Sequence, residues 1–364
     1  MRIRPWPGCL LLTALAALAG PAAGAASGAA PAKVRVVAAE DTWGSIARQL
    51  AGDHADVTSI ISDPDTDPHD YEPTPRDGAA MATAQVAIVN GIGYDGWAHN
   101  LLAANPSSRR RVVTVGDVVG IGKGGNPHQW YSPKSVMAVI DAVTEALQQA
   151  DPADAAYFDA RRQAYEAEGL KRYDDLRAQI RAHFGGTAVG ASESIFAPLA
   201  EDLGLRLLTP RSFLDAVSEG SEPAARDKSA VDRQITNRQI RVFVDNPQNS
   251  TPDVAVLVGK AKAAGIPVAT FTETLTPEGA SFQEWQADQL QRLAGALAAA
   301  NGRGTAASAA PAPAPPPAPA PAGPPAPSRT PAHWLVFMAV AALVVGAFGL
   351  LARAGAGSEA HDLC

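Results

Sequence analysis

The chain has 364 residues and a formal net charge of −7, with a pI near 5.5. This charge excludes a nucleic-acid-binding protein, because no basic stripe is present to neutralise phosphates. The only cysteines are Cys9 and Cys364, at the two ends. Disulfides and thiolate metal sites are therefore excluded between them, and any metal must be held by nitrogen and oxygen.

The first 30 residues have the pattern of a secretory signal peptide. Arg2 and Arg4 supply positive charge, residues 9–19 are apolar, and small residues continue to Ala30. An 11-residue apolar run is too short to cross a bilayer. Cys9 begins this run instead of ending it, so we do not expect it to carry a lipid. The sequence predicts a cleaved, exported protein.

Apolar strand patterns alternate with helical patterns through the next 270 or so residues. This alternation predicts parallel sheets in an α/β fold. The predicted strands are residues 34–39, 57–62, 85–90, 111–115, 187–191, 205–209, 241–245 and 267–271, and the predicted helices are 42–51, one between 62 and 85, 95–104, 133–149, 195–203, 225–238, 252–264 and 282–299.

The segment between the two halves has a different pattern. Residues 152–184 are rich in charge and alanine, with apolar residues at helical spacing and Gly169 as a candidate interruption. We therefore expect an N-terminal α/β lobe at 33–150, one long rigid linking helix at 151–185, and a C-terminal α/β lobe at 186–303. A cleft between the lobes would hold the ligand beyond the carboxyl ends of the strands.

The C-terminal part predicts attachment to a membrane. Residues 304–332 are Ala/Pro-rich and favour an extended stalk. Residues 334–352 are 19 apolar or small residues without a charge, which fits a transmembrane helix. Arg353 follows, so residues 353–364 form the predicted cytoplasmic tail. The expected location is an extracytoplasmic domain anchored by this single span.

Two of the seven histidines differ from the rest in their surroundings. His69 lies in DPHDY after a predicted strand, and His128 lies in NPHQWY before a predicted helix. Each follows a proline, which restricts the backbone and helps to hold the imidazole still. These two histidines resemble half of a mononuclear metal site. We expect the other five to be surface or structural residues.

Two carboxylates occupy the corresponding positions in the second half. Glu193 follows the strand at 187–191 and Glu273 follows the strand at 267–271. Two imidazoles with two carboxylates would neutralise a divalent cation and lower the cost of burying it. The alternative is that both glutamates only stabilise helix N-termini.

Several segments together resemble the substrate-binding proteins of zinc- and manganese-type ABC importers, over nearly all of residues 33–301. The resemblance implies two lobes joined by a long helix, with one metal ion between them held by His69, His128, Glu193 and Glu273. The segments are AAEDTWGSIARQLAGD, DPHDYEPTPRD, VNGIGYDGWAHNLL, NPHQWYSP, ASESIF, SEGSEPAARDKSAVDRQI, FVDNPQNS and TETLTPEGASFQEW.

The chain departs from the family pattern at three places. Many relatives have aspartate where Glu273 stands, and zinc-specific relatives often have a His-rich loop where residues 118–126 contain no histidine. Relatives also typically have a lipid or no anchor. The nitrogen and oxygen donors suit manganese, iron(II) or zinc, and Glu193 favours manganese, with zinc the next choice.

The expected function is capture of one divalent metal ion, manganese or zinc, and delivery to the membrane permease of an ABC importer by a monomer. Four protein ligands would leave no open coordination position, and no HExxH motif is present, so a metal-dependent hydrolase is a weaker alternative and we expect no enzyme. A second alternative is a metal-stabilised adhesin or scaffold, in which the lobes bind another protein. A third is a protein that binds a chelated metal, which would need a wide aromatic or basic cleft instead of convergent His and Glu side chains.

Overall fold

The computed structural model describes residues 32–64, 66 and 71–302. The predicted signal peptide, stalk, transmembrane span and tail, and also His69, lie outside these residues. Within them the chain forms two four-stranded parallel sheets flanked by helices. The predicted α/β class with two parallel sheets is confirmed.

The first sheet and its helices form what we call the N-terminal lobe. The strand order is β2-β1-β3-β4, and each pair is parallel. Central strands of such sheets are buried on both faces and read as continuous apolar runs, as VAIV does in β3. The elements are β1 Val34–Glu40, α1 Asp41–Ala51, β2 Ala55–Ile61, α2 Pro75–Thr83, β3 Val86–Val89, α3 Gly96–Ala104, β4 Arg111–Thr114, α4 Val115–Val119 and α5 Pro133–Ala150.

The second sheet and its helices form the C-terminal lobe, and its strand order, β6-β5-β7-β8, repeats the pattern of the first. The two sheets therefore present the same kind of edge, where the carboxyl ends of their strands can hold functional side chains. The elements are β5 Ala188–Ala191, α8 Ala197–Asp202, β6 Arg206–Leu207, α9 Arg211–Ser218, α10 Ala225–Thr236, β7 Val242–Asp245, α11 Pro252–Ala263, β8 Val268–Thr270 and α12 Phe282–Ala300. The sequence analysis missed α4 and α9.

The segment between the sheets is helical but divided. It consists of α6 (Ala155–Ala164), a π-helical segment (Tyr165–Gly169) and α7 (Lys171–Phe184). The interruption falls at Gly169, where a Cβ atom would lie 2.5 Å from the ring of Tyr165. Helix α6 packs against α1 and α5, and α7 packs against α12, so this segment contacts both lobes.

One hydrophobic core runs through both lobes and joins them. It includes Trp43 and Trp130 from the N-terminal lobe and Phe271 and Trp285 from the C-terminal lobe. The chain between α4 and α5 contributes Tyr131, which is fully buried. Its hydroxyl donates to the Thr272 carbonyl at 2.7 Å and lies 2.9 Å from Gln289 Oε1. Tyr131 thus hydrogen-bonds the N-terminal lobe to the strand end that precedes Glu273.

We predict that Tyr131→Phe destabilises the protein by about 1–3 kcal/mol, because a buried carbonyl loses its donor. Urea unfolding monitored by circular dichroism measures this change. Tyr165→Phe is the matched control, since the Tyr165 hydroxyl makes one longer bond of 3.3 Å to the partly exposed Gln283. Equal destabilisation by both substitutions would contradict a special role for Tyr131 in joining the lobes.

Candidate metal centre between the lobes

His128 is held in a fixed orientation by Asn126. The ring Nδ1 and the backbone nitrogen of His128 each lie 2.9 Å from Asn126 Oδ1. The Asn126 amide nitrogen donates to the Ser194 carbonyl at 2.8 Å, which identifies the oxygen as the atom that faces the histidine. Because this oxygen can only accept, Nδ1 carries a proton, and the nitrogen that could bind a metal is Nε2.

The Nε2 atom of His128 has no hydrogen-bond partner among the described residues, although the side chain is fully buried. It points toward the C-terminal lobe, where Glu273 Oε2 lies 3.6 Å away. The rings of Tyr94 and Trp130 pack edge-on against the imidazole and exclude water from two sides. A buried imidazole with an oriented Nδ1–H and an available Nε2 has the arrangement of a metal ligand.

Glu193 follows β5 and is almost completely buried. Its Oε1 accepts from the Asn246 amide at 2.5 Å, and its Oε2 accepts from the Asn249 amide at 2.7 Å. Burial, and next the charge of Glu273, raise the pKa of Glu193 well above its ordinary value of 4.5. A cation placed between the two carboxylates would remove the repulsion that contributes to this shift.

Glu273 follows β8 and receives hydrogen bonds from both lobes. Its Oε1 accepts from Asn246 at 3.0 Å, and its Oε2 accepts from the Tyr94 hydroxyl of the N-terminal lobe at 3.0 Å. Its backbone nitrogen donates to Gln248 Oε1 at 2.6 Å. The carboxylate is thus fixed at the boundary between the lobes, close to the available nitrogen of His128.

The structure brings the three described candidates together in pairs. His128 faces Glu273, and Glu273 shares a donor with Glu193. No three His, Cys, Asp or Glu side chains in the described part of the chain are grouped closely enough to hold a metal ion. The fourth candidate, His69, lies outside the described residues. The predicted four-ligand set therefore stays a prediction.

The residues that orient these candidates were not assigned roles from the sequence. They are Tyr94, Asn126, Asn246, Gln248 and Asn249, in the segments VNGIGYDGW, NPHQWYSP and FVDNPQNS. These segments contributed to the family resemblance, so the signal was present as motifs. The two hydrogen bonds that Asn246 makes to carboxylates 53 and 27 residues away could not be inferred from spacing.

A second group of buried acids lies at the carboxyl end of β1 in the N-terminal lobe. Burial, followed by the charge of Asp95, raises the pKa of Glu40 well above its ordinary value. Burial raises the pKa of Asp41 to about 6 and that of Asp95 above its ordinary value. Asp41 Oδ2 accepts from the Leu275 nitrogen at 3.2 Å, so this group also contacts the loop that carries Glu273.

These shifts predict that the metal-free protein becomes more stable as the pH falls from about 8 to about 5.5. Each folded-state pKa is raised, so the folded protein binds protons more tightly than the unfolded chain does. The stability is lost as the pH rises through the folded pKa values, about 6 for Asp41 and higher than ordinary for Glu40. Thermal unfolding with a chelator across this range measures the effect.

Glu40→Gln is the control for this pH dependence, because it removes one of the titrating groups. We expect a shallower dependence of the unfolding temperature on pH in this variant. A wild-type unfolding temperature that is constant, or that falls on acidification, would contradict the assignment of these buried acids.

Comparison with protein families matches residues 36–296 to the model described as ZnuA, zinc-uptake complex component A, periplasmic. The iron-binding protein YfeA of Yersinia pestis is 34% identical over 48% of this chain and 58% of its own length. The manganese-binding lipoprotein MntA of Halalkalibacterium halodurans is 30% identical over 36% of this chain and 45% of its own length. This chain therefore spans about half the length of YfeA and of MntA.

A third relative matches over nearly its whole length. The metal ABC transporter substrate-binding lipoprotein SloC of Streptococcus mutans is 24% identical over 77% of this chain and 96% of its own length.

Solved structures of similar fold include periplasmic metal-binding proteins. The manganese-bound protein from Candidatus Liberibacter asiaticus has a TM-score of 0.60 and 20% identity, and the match covers 73% of this chain and all of that one. A mutant of the laminin-binding adhesin Lmb from Streptococcus agalactiae has a TM-score of 0.59 at 20% identity, over 72% of this chain and 99% of that one. At this identity the likeness establishes the fold.

The membrane attachment predicted from the sequence requires correction. Residues 334–352 lie outside the described residues, and no helix that is described combines the length and apolar character needed to cross a bilayer. The MntA and SloC relatives are named as lipoproteins. The single C-terminal span is therefore not retained as the anchor of this protein.

Proposed function

Because this chain belongs to the ZnuA family of periplasmic metal-uptake components, we propose that it captures a divalent transition metal outside the cytoplasm and delivers it to an ABC importer. Members of this family are substrate-binding components and not enzymes, so no residue is assigned a catalytic role. The metal is cargo. The observation that supports this proposal most directly is the buried His128, with its Nε2 available and facing Glu273.

The proposed ligands are His69, His128, Glu193 and Glu273. Two neutral imidazoles and two carboxylates carry a total charge of −2, which balances a divalent cation in a buried site. The raised pKa of Glu193 supports this proposal, because a carboxylate with no cation nearby is costly to bury. Histidine and carboxylate ligands disfavour magnesium and calcium, which prefer oxygen donors alone.

Manganese and zinc are the two proposed cargoes. Zinc binds more tightly than manganese to most nitrogen and oxygen sites, so coordination number must favour manganese if it is the cargo. Two carboxylates that each bind through both oxygens would raise the coordination number toward six, which manganese accepts more readily than zinc does. The hydrogen bonds from Asn246 and Asn249 to the two oxygens of Glu193 are compatible with this, because a carboxylate oxygen that accepts one donor has a second lone pair.

The contacts between the lobes suggest how a bound ion could be signalled to the importer. Tyr94 hydrogen-bonds Glu273, Asn126 hydrogen-bonds Ser194, and Tyr131 hydrogen-bonds Thr272, each across the lobe boundary. We propose that the ion favours one arrangement of the lobes, held by the helical segment α6–α7, and that the permease binds that arrangement. The ion can do this only if its affinity differs between the two arrangements. The proposed working form is a monomer.

Adhesion is not proposed as the function. The likeness to the laminin-binding adhesin is one of fold, at 20% identity, and no described contact favours a protein ligand over a metal ion. A metal-dependent hydrolase is not proposed either, because the chain belongs to a family of substrate-binding proteins.

The proposed function predicts that the full chain, purified without chelator, contains about one equivalent of manganese or zinc by elemental analysis. Competitive titration of the stripped protein with the two metals then determines which one it prefers. Protein that contains no transition metal, and that binds neither ion after stripping, would contradict a role in metal capture.

The proposed ligand set predicts that His69→Ala and His128→Ala each weaken metal affinity at least about tenfold and leave the metal-free fold intact. Calorimetric titration measures the affinity, and circular dichroism monitors the fold. His183→Ala is the control, because His183 is exposed on α7 and its Nδ1 bonds the Gln179 carbonyl of its own helix. Unchanged affinity in either ligand variant would remove that histidine from the site.

A further inference from the structure

Asn246 lies directly after β7 and is buried with only 1% of its surface exposed. Its side-chain oxygen accepts from the Gln248 backbone nitrogen at 3.0 Å, at the start of the short 3-10 turn Pro247–Asn249. A backbone N–H can bond only to the oxygen of the amide, so the orientation of this amide is fixed. Its nitrogen must face the opposite way, toward the residues that follow β5 and β8, the strands on either side of β7.

The nitrogen of Asn246 bridges the two carboxylates. It donates one proton to Glu193 Oε1 at 2.5 Å and the other to Glu273 Oε1 at 3.0 Å. An amide nitrogen has two protons, so both are used. Since both oxygens lie within 3.0 Å of one atom, they are no more than twice that distance apart.

The neighbouring donors act on one carboxylate each. Asn249 bonds Oε2 of Glu193, and Tyr94 bonds Oε2 of Glu273. Asn246 is the described side chain that bonds both glutamates. It is also uncharged, so it attracts both carboxylates without adding a positive charge that would repel a cation. A lysine at this position would bring the carboxylates together but would compete with the metal for them.

We propose that Asn246 is a positioning residue that holds Glu193 and Glu273 side by side, so that an arriving divalent ion meets two carboxylates already in place. This inference rests on the proposed function and adds to it a residue that touches the ligands and not the ion. Without the bridge, the like charges of two buried carboxylates drive them apart, and the ion must bring them together at a cost in affinity.

The test uses Co²⁺ as the probe, because its visible absorption reports coordination geometry as well as binding. Asn246→Ala is expected to weaken Co²⁺ affinity about 10- to 100-fold, as removal of a hydrogen bond to a metal ligand typically does. It is also expected to change the visible spectrum of the bound ion. Asn249→Ala is the matched control and should cost clearly less, because Asn249 bonds Glu193 and the Val217 carbonyl but does not bridge the two carboxylates.

Asn246→Ser guards against a failure to fold, because the serine hydroxyl can still accept from the backbone at the start of the turn but cannot donate to both carboxylates. We expect it to lose affinity as the alanine variant does. In a Glu273→Gln background the two like charges are gone, so Asn246→Ala should then change Co²⁺ affinity far less than in the wild type.

The outcomes separate this inference from the proposed function. Wild-type protein that does not bind Co²⁺, manganese or zinc contradicts the proposed function itself. If wild-type protein binds Co²⁺ and both Asn246 variants bind it with the same affinity and spectrum, only the bridging role is overturned. Equal losses for Asn246→Ala and Asn249→Ala, or an undiminished effect in the Glu273→Gln background, overturn it as well.

Discussion

The bond between Asn126 and the ring of His128 determines what the rest of the candidate centre can do. It places a proton on Nδ1 of the imidazole and leaves Nε2 directed at the C-terminal lobe. Asn126 is itself oriented by the Ser194 carbonyl, one residue beyond Glu193. The orientation of a proposed ligand in one lobe therefore depends on the backbone of the other lobe, so the proposed site requires contact between the two lobes.

The second constraint is the burial of negative charge. Glu193 and Glu273 come from two strand ends of one sheet, and a pair of adjacent carboxylates in a buried place is unfavourable unless donors or a cation compensate it. The protein supplies neutral donors, from Asn246, Asn249 and Tyr94. Neutral donors lower the cost of burying the two carboxylates when no ion is bound, and they add no positive charge that would repel a cation. That combination suits a protein that must bind a cation and also exist without one.

The sequence predicted the fold well, whereas its four metal ligands stay a prediction, and both have physical reasons. The eight strands were recognised because buried parallel strands such as VAIV are continuous apolar runs. Glu193 and Glu273 became candidates because ligands of α/β sheets bind beyond strand ends, and the structure places both residues there. The short helices α4 and α9 were missed because 5 and 8 residues give little periodicity. The amides of Asn126 and Asn246 were missed because their importance lies in contacts between distant segments, which no local pattern encodes.

The length of the Glu273 side chain matters because its carboxylate bonds one partner in each lobe. Its Oε1 bonds Asn246 in the C-terminal lobe, and its Oε2 bonds Tyr94 in the N-terminal lobe. The family resemblance implies aspartate at this position in many relatives, and a carboxylate one methylene shorter on the same backbone would lie farther from the opposite lobe. In the proposed site, an ion bound by Glu273 would draw electron density from its carboxylate and weaken a bond in each lobe at once. The carboxylate that departs from the family pattern is thus the one through which ion binding can alter contacts on both sides of the cleft.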